Sequence, residues 1–304
     1  MTQEFPTSLA GFGYGFSEGK LRKLDSDGQF TEKGFQFVDQ AHYEALGDVI
    51  GEEVYTLLEK QGKLDRVEVG LGKPKSFIFC SSEHMTSDKL VVMIHGSGVV
   101  RAGQWARRLI INEDLDKGTM LPFIAHARET GWGVVVMNTN MNTAGKTDED
   151  IPGSESPEDH ANTVWENIVA KSKAKNIVII AHSYGGVVTM ELARSFKTDF
   201  LDRVSGVFMT DSVHYKLSGD KEVDKKLEKI GKNYVGSDLE VGTPVEKMFG
   251  SKDIPRFSAG HEKHEWTSWS AMEEIFKDME KAGKEGDEKE DEDTKNKAEK
   301  KEEL

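Results

Sequence analysis

Asn176-Ile177-Val178-Ile179-Ile180-Ala181-His182-Ser183-Tyr184-Gly185-Gly186 is the stretch on which the reading of this chain turns. Its apolar half predicts a buried strand, and the residues from Val187 to Phe196 predict a helix. Between them stands a serine on a tight turn. That is the pattern of a nucleophile elbow, in which a serine hydroxyl is displayed on a strained strand-to-helix turn and a following glycine, here Gly185, leaves room around it. The usual motif is G-x-S-x-G; Ala181 takes the place of the first glycine, small enough for the helix to approach the strand.

Leu90 to Ile94 is a second apolar run, and it ends in His95-Gly96-Ser97-Gly98. In α/β-hydrolases a turn of this kind supplies one backbone N–H of an oxyanion hole, and the residue after the nucleophile supplies the other. Gly96, Ser97 and Tyr184 are the candidates. A hydroxyl is a poor nucleophile until a histidine takes its proton, and that histidine needs a carboxylate to fix its tautomer. Downstream, Asp211 ends the run Val207 to Thr210, and His264 precedes the helical run Trp266 to Met279. The expected triad is Ser183, Asp211 and His264, in the chain order of this fold. Asp238, one strand later, is an alternative acid, and His261 an alternative base. His182 and His214 are expected to satisfy local hydrogen bonds, and His95 to belong to the oxyanion turn.

From about residue 75 strands and helices alternate. The strands are expected at Ser76 to Cys80, Leu90 to Ile94, Gly133 to Asn138, Asn176 to Ala181, Val204 to Thr210, Lys232 to Gly236 and Ile254 to Ser258. Their near-continuous apolar character predicts a mostly parallel sheet with helices on both faces. Ser156, Pro157 and Asp159 form a start signal for a helix running to Lys173. An extension at 5–70 is expected to pack on the main domain at 71–280. It holds a hairpin around Phe12, Tyr14 and Phe16 with Leu21 to Leu24, then an amphipathic helix from Ala45 to Leu58. Asn140 to Ser156 reads as a loop over the carboxyl ends of the strands. The tail 281–304 holds 7 lysines and 10 acidic residues in 24, a composition that cannot bury enough surface to fold.

The formal net charge of -14 argues against non-specific binding to nucleic acid or to anionic membrane. No apolar run reaches the roughly 18 residues needed to span a bilayer, and Met1 to Pro6 lacks the pattern of a signal peptide. The single cysteine, Cys80, is expected as a buried thiol in a reducing compartment. Arg101, Arg107 and Arg108 follow the oxyanion turn and are candidate contacts for an anionic substrate or partner, unless they pair with Glu113, Asp114 and Asp116. His261-Glu262-Lys263-His264 lacks the i, i+4 histidine pair of zinc proteases, so no metal is expected. No glycine-rich phosphate loop occurs, so no organic cofactor is expected either.

His95 to Trp105, Ala181 to Gly186, Thr210 to His214 and His264-Glu265 with Thr267-Ser268-Trp269 resemble the argonaute-binding protein two family, in its animal branch of cotranscriptional regulators. The likeness runs from about Phe5 to Met279 and includes Tyr43 to Gly47 and Pro74 to Phe79. The resemblance implies an α/β-hydrolase-like fold, a serine nucleophile at Ser183, and a role with argonaute, chromatin and splicing proteins, in cytoplasm or nucleus. Longer members carry a basic insertion, like a nuclear-import signal, where only Asn140 to Ser156 stands here. Members often end in a KEEL-like tetrapeptide, as Lys301-Glu302-Glu303-Leu304 does; this resembles an ER-retention signal, which requires an entry signal to be read. Two readings follow: a hydrolase of small esters, thioesters or amides, or a silent scaffold that uses the same fold to bind proteins.

Overall fold

A computed structural model describes residues 4–145, 148–214, 217–246 and 253–284. Near the N-terminus β1 (Tyr14–Ser17) and β2 (Lys20–Lys23) form the expected antiparallel hairpin. Helix α1 (Gln40–Lys60) follows, capped by Asp39, whose carboxylate accepts the His42 N–H at 2.8 Å. Next come β3 (Leu64–Val69), β4 (Ser76–Ser81) and β5 (Lys89–Ile94). Three helices, α2 (Arg107–Asn112), α3 (Leu115–Gly118) and α4 (Leu121–Glu129), lead to β6 (Gly133–Val136). A small hairpin, β7 (Thr143–Ala144) with β8 (Glu149–Asp150), precedes α5 (Pro157–Val164) and a π-helical turn at Trp165–Val169. The second half runs β9 (Asn176–His182), α6 (Gly185–Ser195), α7 (Lys197–Arg203), β10 (Val204–Thr210), α8 (Lys221–Ile230), β11 (Gly231–Val235) and β12 (Arg256–Ser258). A 3-10 turn at His264–Trp266, α9 (Thr267–Ser270) and a helix at 272–284 close it.

Eight strands form one sheet in the order β12-β11-β10-β9-β5-β6-β4-β3. Six of them, from β12 to β6, are mutually parallel; β4 runs antiparallel to both of its neighbours. The third and fourth strands of the sheet are exchanged in space, β5 lying between β6 and β9, and the second is reversed. This is the α/β-hydrolase arrangement. Parallel neighbours need crossovers, and the crossovers place helices on both faces. Side chains alternate accordingly. Val91 and Met93 of β5, with Val178 and Ile180 of β9, pack under α1, α4 and helix 272–284; Leu90, Val92, Ile177 and Ile179 pack under α5 to α8.

Several boundaries differ from the sequence reading, each for a local reason. The outermost strand, β3, comes from the segment read as an extension; it buries only its ends, Leu64 and Val69, and exposes Asp65, Arg66 and Glu68 between them, as an edge strand does, so it is too polar to resemble the buried runs. β6 stops at Val136 because Asn138 turns away: its N–H donates to His160 Nε2 at 3.1 Å and its Oδ1 accepts the Ala102 N–H at 2.9 Å. β11 stops at Val235 because the Gly236 N–H leaves the ladder for Asp211 Oδ1, at 3.2 Å. β12 begins after Pro255, which has no N–H to give a ladder. α6 begins two residues earlier than expected, directly at Gly185. The helix expected to reach Lys173 keeps its start, with Ser156 capping the Asp159 N–H at 3.1 Å, but its regular α-form ends at Val164.

Asn140 to Ser156 is more than a loop. It carries β7 and β8, and Asn142 Nδ2 ties it together by donating to the carbonyls of Thr139 at 2.9 Å and Ser154 at 2.8 Å. The beginning of the charged tail is also ordered: helix 272–284 carries its apolar spacing through Ile275, Met279 and Ala282, all buried. The remainder of the tail, with Lys301-Glu302-Glu303-Leu304, lies outside the described residues. Cys80 is fully buried. Among the described residues no helix is long and apolar enough to cross a membrane.

Candidate active site

Ser183 follows β9 with φ at +54°, the left-handed region that a serine enters only under constraint. The constraint comes from both sides. Its N–H donates to the Thr210 carbonyl of β10 at 3.0 Å, and its carbonyl accepts the Gly186 N–H at 3.1 Å as α6 starts. At Gly185 a Cβ would stand 2.6 Å from the Ile94 carbonyl oxygen and 2.9 Å from that of His95, so only glycine lets α6 begin against the end of β5. Gly96 faces the serine itself, since a Cβ there would lie 3.0 Å from Ser183 Cβ. The turn carrying Gly96 and Ser97 is thereby placed beside Ser183 and Tyr184. Asn140 fixes that turn by donating from Nδ2 to the carbonyls of Gly96 and Val100, at 2.9 and 3.0 Å.

Asp211 ends β10 and also has positive φ, +45°. Its N–H donates to the Tyr234 carbonyl at 2.7 Å, and its Oδ2 meets His264 Nδ1 at 2.7 Å. Burial pushes the Asp211 carboxyl upward, but the hydrogen bonds from His264 and Gly236 outweigh it and hold the carboxyl below its usual range. The same contact raises His264, over a smaller opposing effect of its own burial. The His264 ring lies against that of His182, the residue before the serine, with centroids 4.6 Å apart.

The alternatives lie elsewhere. Asp238 is exposed past β11, while Asp211 carries the contact to His264. His261 stacks on Trp266, with centroids 5.0 Å apart, and its Nδ1 accepts the Lys263 N–H at 3.0 Å. His182 is buried and bonds through Nδ1 to Thr210 Oγ1 at 3.0 Å; burial drives it down to about 3, so the ring stays neutral. His95 contacts the Gly96 carbonyl at 2.8 Å and is pushed down to about 4.

The three arginines diverge. Arg101 donates to the carbonyls of Gly98 and Val100, at 3.2 and 3.0 Å, and so braces the turn that carries Gly96 and Ser97. Arg107 is buried against Gly47 of α1 and pairs with Asp48 at 3.5 Å. Arg108 is exposed and pairs with Glu265, next to His264, at 3.2 Å. Glu113 and Asp114, weighed as partners in sequence, bond instead to Lys117.

Two elements of the site were not legible in sequence. Ser268 joins Thr210 Oγ1 at 2.7 Å and His182 at 3.3 Å, which anchors the start of α9 to the elbow. Ser212, His214 and Asp253 form a chain in which Ser212 Oγ meets His214 Nδ1 at 2.6 Å and His214 Nε2 meets Asp253 Oδ1 at 2.9 Å. This chain ties the residue after Asp211 to the segment that enters β12. The bond to Ser212 is the local one expected of His214, whereas its link to Asp253, 39 positions on, has no signal in the sequence.

Residues 5–241 match the Arb2 domain family. The chain belongs to the Arb2 family. Among its relatives is a cotranscriptional regulator ARB2A homolog of Gallus gallus, 38% identical across 90% of this chain and 80% of that protein. The cotranscriptional regulator ARB2A of Homo sapiens is 37% identical across 90% and 80%. A FAM172 family protein homolog of Caenorhabditis elegans is 40% identical across 89% and 86%. Among solved structures, a histone deacetylase from Saccharomyces cerevisiae superposes with a TM-score of 0.55 at 13% identity, over 79% of this Arb2 chain and 99% of that one. The histone deacetylase Clr3 gives 0.51 at 18% identity, over 82% and 41%. These two likenesses are of fold.

Proposed function

We propose that this Arb2 protein is a serine hydrolase of an ester, thioester or amide. Ser183 Oγ attacks the acyl carbon while His264 Nε2 takes its proton and passes it to the leaving group; water then releases the acyl group by the same relay. Asp211 holds His264 in the tautomer with Nδ1 protonated. Backbone N–H groups of Ser97 and Tyr184, with Gly96 opening the space, receive the oxyanion. The observation that carries this reading is the 2.7 Å contact between Asp211 and His264 beside a serine held at positive φ. Its test is mass spectrometry after incubation with 4-nitrophenyl acetate: an acetyl group on Ser183, absent from Ser183→Ala, supports it, and an unmodified Ser183 in folded protein counts against it.

The regulatory setting is supported by the relatives named cotranscriptional regulators. In this setting the protein acts in the nucleus with argonaute-type, chromatin or splicing proteins, and the hydrolase fold also serves as a binding surface. A pure scaffold would tolerate Ser183→Ala in a transcription or splicing readout; a hydrolase would not.

A further inference from the structure

His264 stands on a short 3-10 turn and its side chain is 45% exposed, so its own backbone gives the ring little hold. Asp211 fixes Nδ1, and the ring lies against that of His182, with 39° between their planes. Whatever holds His182 therefore helps to hold His264. His182 Nδ1 meets Thr210 Oγ1 at 3.0 Å and Ser268 Oγ at 3.3 Å, and the two hydroxyls meet each other at 2.7 Å. All three residues are buried, so a hydroxyl removed from this triangle leaves its partners short of a hydrogen bond.

The triangle joins three elements. Thr210 pairs with His182 in the register of β10 and β9, and its carbonyl accepts the Ser183 N–H at 3.0 Å. Ser268 belongs to α9, which follows directly on the turn bearing His264, and Thr267 beside it donates from Oγ1 to the His264 carbonyl at 2.8 Å. One bond between hydroxyls thus fastens the segment that carries His264 to the residue that fastens Ser183. His182 is also suited to its place. Burial first, and the charge of His264 second, keep it neutral, so it does not repel His264 when that ring gains a proton.

Taking Ser183 and His264 as the nucleophile and base proposed above, we infer that Thr210 and Ser268 are positioning residues: through their shared hydrogen bond and through His182 they keep the His264 ring against Asp211. Both act through His264, not on substrate. The charged and titratable groups that act on His264 are Asp211, Glu265, which pairs with Arg108 of α2, and His182. Changing Thr210 or Ser268 removes none of them, so a moved His264 titration reports the contact itself.

NMR titration of the His264 imidazole and single-turnover acylation by 4-nitrophenyl acetate, both on the full chain, test this. Thr210→Val replaces one hydroxyl by a methyl group of similar size, Ser268→Ala removes the other, and Thr210→Ser keeps a hydroxyl. In Thr210→Val and Ser268→Ala the His264 titration is expected to move down toward 6.5. The acylation rate at saturating ester is expected to fall at least tenfold, with the half-saturating concentration unchanged. Thr210→Ser is expected to titrate and react as wild type does. A purely structural role would lower the unfolding midpoint and leave the titration and the rate of the folded protein unmoved; that result in either hydroxyl-free variant that folds would overturn the assignment. A wild type that is not acylated would count against the hydrolase reading instead, and the titration, which needs no reaction, would still decide whether the triangle seats His264.

Discussion

Asp211 and His264, brought together from 53 positions apart, meet at 2.7 Å through Oδ2 and Nδ1. Both backbones reach this geometry from the ends of parallel strands, and the strand between them, β11, gives up a ladder bond so that the Gly236 N–H can hold the other Asp211 oxygen. The contact engages Nδ1, and in the proposed reaction Nε2 is the nitrogen that takes the serine proton. Asp211→Asn is expected to lower the rate of Ser183 acylation by about 10³-fold or more, because the amide stabilises the wrong tautomer. Single-turnover kinetics with an activated ester would measure it.

The pH dependence follows from the same pair. His264 accepts the serine proton only when neutral, and its pKa is raised above 6.5, so acylation should rise with pH through an inflection above that value. In Asp211→Asn the inflection should fall. The ion pair's own contribution to stability has the opposite slope on the histidine side: it is complete below 6.5 and fades as pH rises through the folded value. On the aspartate side it is complete above 3.8 and fades as pH falls through the lowered folded value.

Three buried histidines make the fold acid-sensitive. His95 is held at about 4, and His160 and His182 at about 3, all by burial first. Between those values and 6.5 the unfolded chain binds protons that the folded chain refuses, so stability falls as pH falls. The penalty is about 2 kcal/mol per histidine at pH 5. Urea unfolding at pH 7 and pH 5 should show a midpoint loss, smaller in His160→Gln, which keeps one polar group in place of the ring.

The chain Ser212–His214–Asp253 sets the loop that bears Asp211 against the approach to β12. Asp253→Asn should cost about 1–3 kcal/mol of stability, since it weakens a charge-assisted bond to a buried ring. It should also lower the pH inflection of acylation by loosening the Asp211–His264 contact. A loss of stability with an unmoved inflection would show that the chain serves packing alone.

Gly185→Ala places a methyl 2.6 Å from the Ile94 carbonyl oxygen, and backbone cannot yield as a side chain does. The expected cost is about 1–3 kcal/mol, read by thermal unfolding, together with a displaced Ser183.

The parallel core was legible because its strands, buried on both faces, are unbroken apolar runs: Leu90 to Ile94 and Asn176 to Ala181 announce themselves. β3 was not, because an edge strand with exposed Asp65, Arg66 and Glu68 has no such run. The Asp211–His264 pair was legible because Asp211 ends an apolar strand and His264 precedes a helical run, whereas Ser268 and Asp253 meet their partners only across distant sequence. The divergence of Arg107 and Arg108 was hidden for the same reason: their partners, Asp48 and Glu265, come from either side of the chain rather than from the acids that follow them.

The most direct measurement is covalent labelling of purified protein with a fluorophosphonate probe, in wild type, Ser183→Ala and His264→Ala. Labelling is expected in wild type, abolished in Ser183→Ala and reduced by several orders of magnitude in His264→Ala. Folded wild-type protein that stays unlabelled, or labelling that persists in Ser183→Ala, would contradict the proposed serine chemistry.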